Sequence, residues 1–245
     1  MGGSGCESDK RLESAAGEHS EFGEYSSPPC FMHELDQNYL GLSGEGKSSS
    51  PAAPPSPGLD WPSVRQWRKE TRVRLIDQRM RIPSQMRADW SERISQGLKT
   101  ALAASRDKLI GFYWPFKGEY DARPLLMSLR DQGTRLALPV VVEKAHPLQF
   151  REWWPGMPMS RGVWNIPIPS EGEAVIPEVL IAPLVGFDPA GYRLGYGGGF
   201  YDRTIAAMPT KPLAIGVGFE LARVATIYPQ AHDMPMDVIV TEGRR

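Results

Sequence analysis

The sequence predicts an α/β protein: an open, mostly parallel twisted sheet with helices on both faces, preceded by a disordered N-terminal extension. Three observations carry this expectation. Short apolar runs recur at 109–113, 135–142, 179–185, 213–217 and 238–240. Segments of helical period alternate with several of them, the pattern of strand–helix–strand crossovers. At about residue 60 the composition changes, dividing the chain into an extension (1–60) and an α/β domain (61–245).

The extension is rich in Ser, Gly, Pro and Glu and ends in the run SSSPAAPPSP at 48–57, with too little apolar surface to offset the entropy of ordering. One island within it, residues 30–36 followed by 38–40, is richer in apolar groups and holds metal-type side chains, but their spacing is irregular and no second cluster answers them, so its plainest reading is a short docking segment for a protein partner or no role at all. Residues 61–81 read as a first helix, with Val64, Trp67, Thr71 and Leu75 near one face and arginines on the others. Pro83 ends it, and Ser84 is placed to cap a second helix in which Trp90, Ile94, Leu98 and Ala101 recur. Residues 109–113 and 135–142 read as buried strands joined by a helix over 122–132, which Asp121 would cap and Gly133 would end. Residues 148–154 suggest a further strand, and the proline-interrupted stretch 155–169 a loop. The apolar strand 179–185 leads into a glycine-rich segment, a helix over 200–208, and strands at 213–217 and 238–240.

Composition narrows the function. No apolar run reaches the length of about eighteen residues that suggests a membrane span, and no basic-then-apolar start resembles a secretory signal, so a cytoplasmic protein is expected. Cys6 and Cys30 both lie in the extension, which argues against a disulfide framework or a CxxC metal pair. The extension carries ten acids against three bases, leaving nineteen against twenty-five for the rest. A mildly basic body suits anionic small molecules better than a nucleic-acid duplex.

The chemistry concentrates in RLGYGGGFYD at 193–202. In a parallel sheet ligands settle at the carboxyl ends of strands, and the strand before this segment delivers the chain there. Gly195, Gly197, Gly198 and Gly199 leave backbone N–H groups free to approach phosphate oxygens, and the helix after them points its positive end at the same place. Arg193 adds a planar donor fork. A flexible turn is the bland alternative. Neither a Walker A loop nor a dinucleotide fingerprint fits, since no Gly-Lys-Ser/Thr closes the run and no acid follows at the ribose spacing.

The longer segment PLVGFDPAGYRLGYGGGFYDR at 183–203 closely resembles the signature of 5-formyltetrahydrofolate cyclo-ligases, also called methenyltetrahydrofolate synthetases. The resemblance spans about residues 65–242 and takes in GEYD at 118–121, WNIP at 164–167 and DMPMD at 233–237. It implies a fold like that of sugar-phosphate isomerases and CoA-transferases. The activity it implies is ATP- and Mg²⁺-dependent closure of 5-formyltetrahydrofolate to 5,10-methenyltetrahydrofolate, with release of ADP and phosphate. ATP would activate the formyl oxygen, N10 would attack the activated carbon, and phosphate would leave. By the same resemblance, Arg193, Leu194, Gly195, Tyr196, Gly197, Gly198, Gly199, Phe200 and Tyr201 form the ATP loop, with Arg193 and Tyr201 nearest the reaction. Tyr196, Gly197, Gly198, Gly199 and Phe200 also line the folate side, together with Glu119, which would accept from pterin N–H groups, and Trp164, which would stack on the ligand. Asp202 and Asp237 are implied as magnesium ligands. The family's first helix gives a basic residue and, four positions later, an arginine to ATP. These fall on Arg68 and Arg72, or on Lys69 if the register shifts.

Two departures bear on the site. Some family members carry basic residues where this chain has Tyr196 and Gly198, so charge must come chiefly from Arg193 and the first helix. The approach WPFKGEY at 114–120 replaces a short Ser-rich one and reshapes the folate mouth. The rival expectations are a sugar-phosphate isomerase or CoA-transferase on the same fold, and a non-catalytic sensor of folate or ATP that reaches a partner through its extension. No nucleic-acid or membrane partner is expected.

Overall fold

The computed structural model describes residues 60–105 and 107–243; the expected extension and its island at 30–36 lie outside the described residues. Helix α1 (Trp61–Met80) starts where the Asp60 carboxylate accepts the Ser63 N–H at 3.2 Å, with Pro62 in the first turn where its missing N–H costs nothing. Its buried side chains, Val64, Arg68, Thr71, Leu75 and Arg79, fall at spacings of three and four, which puts them on one face. Helix α2 (Ser84–Ala101) buries Ile94 and Leu98 completely. Ser84 does not cap it. Pro83 occupies that position, its carbonyl accepting from Arg87 N, and Ser84 is already the first helical residue.

Strand β1 (Leu109–Gly111), helix α3 (Arg123–Arg130) and strand β2 (Arg135–Val140) form the expected crossover, the strands pairing in parallel. The N-cap is Ala122 rather than the expected Asp121, whose carboxylate still accepts the Arg123 N–H at 3.0 Å, and Gly133 closes the helix at a φ of +102° that disfavours side chains. Strand β3 (Gln149–Glu152) runs antiparallel to β2.

The stretch 155–169 is not simply a loop. It contains β4 (Met159–Arg161) and β5 (Pro167–Pro169), paired antiparallel around a 3₁₀ turn (Val163–Asn165). Prolines are tolerated because this ladder has only two strands and each leaves an unpaired edge. The two-residue β6 (Ala174–Val175) then pairs with β3. Strands β7 (Val179–Pro183), β8 (Gly186–Phe187) and β9 (Arg193–Leu194) precede helix α4 (Phe200–Ala207), and β10 (Leu213–Val217) and β11 (Val238–Val240) complete the chain. β8 and β9 form a separate small ladder that brings the glycine-rich segment back to the sheet edge.

The main sheet has the order β11-β10-β7-β1-β2-β3-β6; its first five strands are parallel, β3 runs antiparallel to them, and β6, antiparallel to β3, returns to their direction. β7 alternates sides. Val179 and Ile181 pack with Ile94 and Leu98 of α2 and Leu126 of α3, while Leu180 and Ala182 pack with Ile205 of α4. Helices thus cover both faces, and complete burial of each of these larger aliphatic side chains is worth about 1.5–3 kcal/mol. The strongly apolar β7 is legible in sequence because both of its faces are buried.

Candidate active site

A cavity of about 690 Å³ opens at the carboxyl ends of the central strands. Tyr113 and Trp114 follow β1, Pro139 lies in β2 and Pro183 ends β7; the glycine-rich segment, α1 and the 164–168 region close the other sides. Of the residues expected at a site, Arg68, Lys69, Arg72, Glu119, Trp164 and every residue from Arg193 to Asp202 line this one cavity. Asp237 does not. Its carboxylate binds Lys211 Nζ at 2.5 Å and accepts the Ala214 N–H at 2.9 Å, fastening the start of β11 to β10. Its neighbour in the same motif, Asp233, does line the cavity.

Two glycines of the loop require their freedom. Gly197 has φ +102° and Gly199 φ +61°, and Gly199 ends the loop as the N-cap of α4. No side chain caps that helix, so its first N–H groups have no side-chain acceptor. Arg72 reaches the loop from α1, donating from Nε to the Gly195 carbonyl at 2.7 Å. A Cβ on Gly197 would sit 3.5 Å from its guanidinium carbon and 3.7 Å from both Nη atoms. A cation from the first helix therefore lies against the loop, in which positions 196 and 198 carry none. Burial and the nearby charge of Arg68 lower the Arg72 pKa to about 10, a cost that an anion in the cavity would offset.

Arg68, expected beside it on ATP, has another engagement. Its guanidinium donates to the carbonyls of Ile227 (3.0 Å) and Tyr228 (2.9 Å) and pairs with Asp233 at 2.5 Å, both side chains being buried. Lys69 lines the cavity one position further along. Arg193 is likewise half engaged: Nη1 pairs with Asp202 Oδ1 at 3.0 Å and reaches the Met234 carbonyl at 3.3 Å. The same Asp202 oxygen accepts the Met234 N–H at 3.0 Å. The guanidinium also lies 5.5 Å from the Tyr201 ring centroid.

Two polar atoms at the cavity are buried without a protein partner, the Tyr201 hydroxyl and the Trp164 indole N–H. Buried polar groups are nearly always satisfied, so these two atoms are open to a ligand or an ordered water in the cavity. Burial, followed by the charge of Glu119, pushes the Tyr201 pKa up, so its hydroxyl remains a neutral donor. Trp164 is held at φ +59°, a strained value for a side chain of its size, and stacks on Phe116 with centroids 6.0 Å apart and planes 14° from parallel. Tyr196 closes this aromatic group at 5.6 Å from Trp164 and 6.0 Å from Phe116.

Glu119 is buried at its end. Its Oε2 accepts the Phe116 N–H at 2.9 Å and its Oε1 the Tyr196 hydroxyl at 2.8 Å, with Arg79 Nη2 at 3.8 Å. Burial raises its pKa, and the Arg79 charge with these two hydrogen bonds opposes the rise. Sequence reasoning left Arg79 on a general basic face and missed Phe116 and Asp233. A signal for Arg79 was present: it lies four residues after Leu75 and eleven after Arg68, in line with the apolar stripe of α1.

The architecture agrees with what the chain is similar to. The profile of the 5-formyltetrahydrofolate cyclo-ligase family matches residues 64–242. The chain is 30% identical over 178 residues to the 5-formyltetrahydrofolate cyclo-ligase of Haemophilus influenzae, covering 69% of this chain and 94% of that one. It is 30% identical over 190 residues to the enzyme of that name from Mycolicibacterium smegmatis, covering 72% and 94%. Among solved structures, the 5,10-methenyltetrahydrofolate synthetase of Aquifex aeolicus superposes with a TM-score of 0.63 at 30% identity, covering 72% of this chain and 90% of that one. The Mycoplasma pneumoniae synthetase shares the fold, with a TM-score of 0.60 at 21% identity, covering 72% and 99%.

Proposed function

The chain belongs to the 5-formyltetrahydrofolate cyclo-ligase family, and from that premise we propose how its cavity brings ATP and a reduced folate together. The enzyme closes 5-formyltetrahydrofolate to 5,10-methenyltetrahydrofolate with ATP as co-substrate. One observation carries the assignment of the site. The glycine-rich loop and the buried Glu119 carboxylate share a single cavity and are joined by the Tyr196–Glu119 hydrogen bond.

The formyl oxygen of an N-formyl group is a poor leaving group, whereas its phosphate ester departs readily. The protein therefore has to align two bound molecules and neutralise charge rather than supply a nucleophile. In this reading the N–H groups of residues 195–200 and the α4 terminus receive the phosphates, with Arg72, Lys69 and Arg193 as counter-charges. Tyr201 donates its unpaired hydroxyl to the transferring phosphoryl group. Glu119 accepts from two N–H groups of the pterin, whose plane lies among Phe116, Trp164 and Tyr196. Arg68 acts through Asp233, holding the 227–233 segment against α1, rather than as a phosphate ligand.

Magnesium fits one position. Asp202 accepts both of its protein hydrogen bonds through Oδ1, leaving Oδ2 for a cation held mainly by phosphates and water, which is how Mg²⁺ usually binds. When bound it supplies charge neutralisation on the phosphates. Among the described residues no cluster of three or more Asp, Glu, His or Cys is arranged as a metal cage. Asp237, tied to Lys211 away from the cavity, does not fit the role.

No helix among the described residues is long and apolar enough to cross a membrane. We assign the enzyme to the cytoplasm, and the acidic segment 1–60 to contact with a protein partner. The test of function is absorbance of the methenyl product after purified protein meets 5-formyltetrahydrofolate and Mg-ATP. An ATP-dependent rise is expected, with one phosphate released per product. No rise, with nucleotide binding intact, would favour a sensor instead.

A further inference from the structure

We propose that Tyr196 is a positioning residue that couples the two substrate sites, carrying the influence of Arg79 to Glu119 through its hydroxyl and tying the phosphate loop to the folate carboxylate. The inference rests on the reading of Glu119 as the folate-binding group.

The geometry is specific. Arg79 is anchored by donating to the Lys117 carbonyl at 3.0 Å and the Leu184 carbonyl at 3.1 Å, so its guanidinium is fixed between two chain segments. At 3.8 Å its Nη2 is too far from Glu119 Oε1 for a hydrogen bond. The Tyr196 hydroxyl fills that gap, accepting from Arg79 Nη2 at 2.7 Å and donating to Glu119 Oε1 at 2.8 Å. A hydroxyl is suited to this place because it accepts and donates at once, which a lysine, arginine or amide hydrogen cannot do.

The arrangement leaves the carboxylate ready for a planar ligand. Each oxygen has one protein partner, Phe116 N–H on Oε2 and Tyr196 on Oε1, and so retains acceptor capacity for one further N–H. Two adjacent N–H donors on one edge of a heterocycle match that remainder. The other end of the tether lies in the nucleotide region. Arg72 holds the Gly195 carbonyl immediately before Tyr196, and Gly197 immediately after it bends the chain at φ +102°. Tyr196 is therefore gripped on one side by a cation facing the phosphates and on the other by the folate carboxylate. Movement of the loop on binding nucleotide is transmitted to Glu119 through one hydrogen bond.

The experiment compares wild type, Tyr196→Phe, Glu119→Gln and the double variant in steady-state turnover. Phenylalanine keeps the contacts with Phe116 and Trp164 and removes only the hydroxyl. Wild type must first form methenyl product with ATP; if it does not, the functional reading itself fails. With wild type active, Tyr196→Phe raises the folate KM about tenfold, the value of a hydrogen bond to a charged group, with a smaller change in kcat. The same substitution adds no further rise in the Glu119→Gln background, and it abolishes the dependence of ATP KM on folate concentration that the coupling predicts for wild type. An unchanged folate KM, or independent effects in the double variant, would overturn the proposal. Should Tyr196→Phe fail to fold, Arg79→Lys provides the second arm: a rise in folate KM with ATP KM at saturating folate unchanged supports the relay, and the reverse overturns it.

Discussion

Arg68→Met tests the separation between an arginine that builds the site and one that faces the ligand. Arg68 and Asp233 are only 8% and 9% exposed at their side chains. Methionine preserves much of the arginine's apolar stem but leaves Asp233 buried without its cation, and the Ile227 and Tyr228 carbonyls without their donor. Breaking a buried pair from one side costs about 3–5 kcal/mol. In a domain of this size 1 kcal/mol corresponds to about 2–4 °C in Tm, so a fall of about 6–20 °C is expected by calorimetry or circular dichroism. The pH dependence adds a second readout. Burial pushes the Asp233 carboxyl up, but the Arg68 hydrogen bond, the Gln230 N–H and the Arg68 and His232 charges hold it below 3.8. A lowered carboxyl contributes stability above its unfolded pKa and loses it as pH falls through the folded value. In Arg68→Met burial is opposed only by the Gln230 N–H and the His232 charge, and the pKa rises. The Tm gap to wild type then narrows as pH falls from 7 toward about 4. Arg68→Met/Asp233→Leu, which removes both charges, recovers at least part of the loss. Arg72→Met, by contrast, raises the ATP KM about tenfold or more with a smaller change in Tm. An unchanged Tm in Arg68→Met, with only its ATP KM raised, would refute the reasoning.

The remaining predictions concern the cation and the unpaired hydroxyl. Asp202→Asn raises the magnesium concentration for half-maximal turnover by about tenfold or more, whereas Asp237→Asn, which weakens a partly exposed pair with Lys211, changes it by less than about twofold. Equal effects in a magnesium titration would return Asp237 to the site. Tyr201→Phe lowers kcat by about a hundredfold, as expected when one donor to developing charge is removed. Because that hydroxyl has no protein partner, its removal leaves Tm unchanged or higher; a clear loss of stability would show that it is structurally bonded.

Most of the sheet is visible in the chain because strands buried on two faces must be continuously apolar, as 179–183 is, and the helices show their period through residues such as Ile94, Leu98 and Leu126. The short ladders of β4 with β5 and β8 with β9 are hidden because two or three residues carry no readable alternation, and prolines in β5 argue locally for a loop. The loop at 193–202 is legible since glycine freedom and a following helix are local properties, and its cavity follows from the strand that leads to it.

The sequence by itself thus determined the fold class and the family, and singled out the glycine-rich loop that lines the cavity. Only the tertiary structure decided what each charged side chain does. Arg68, Arg72 and Arg79 read alike on a helix, yet one closes on Asp233, 165 residues away, one holds Gly195, 123 residues away, and one reaches Leu184, 105 residues away. It likewise drew Asp233 into the cavity and left Asp237 outside. Periodicity fixes which residues share a face, but the ionic partners that the face meets are set by packing of distant segments, and burial of a charge depends on that meeting.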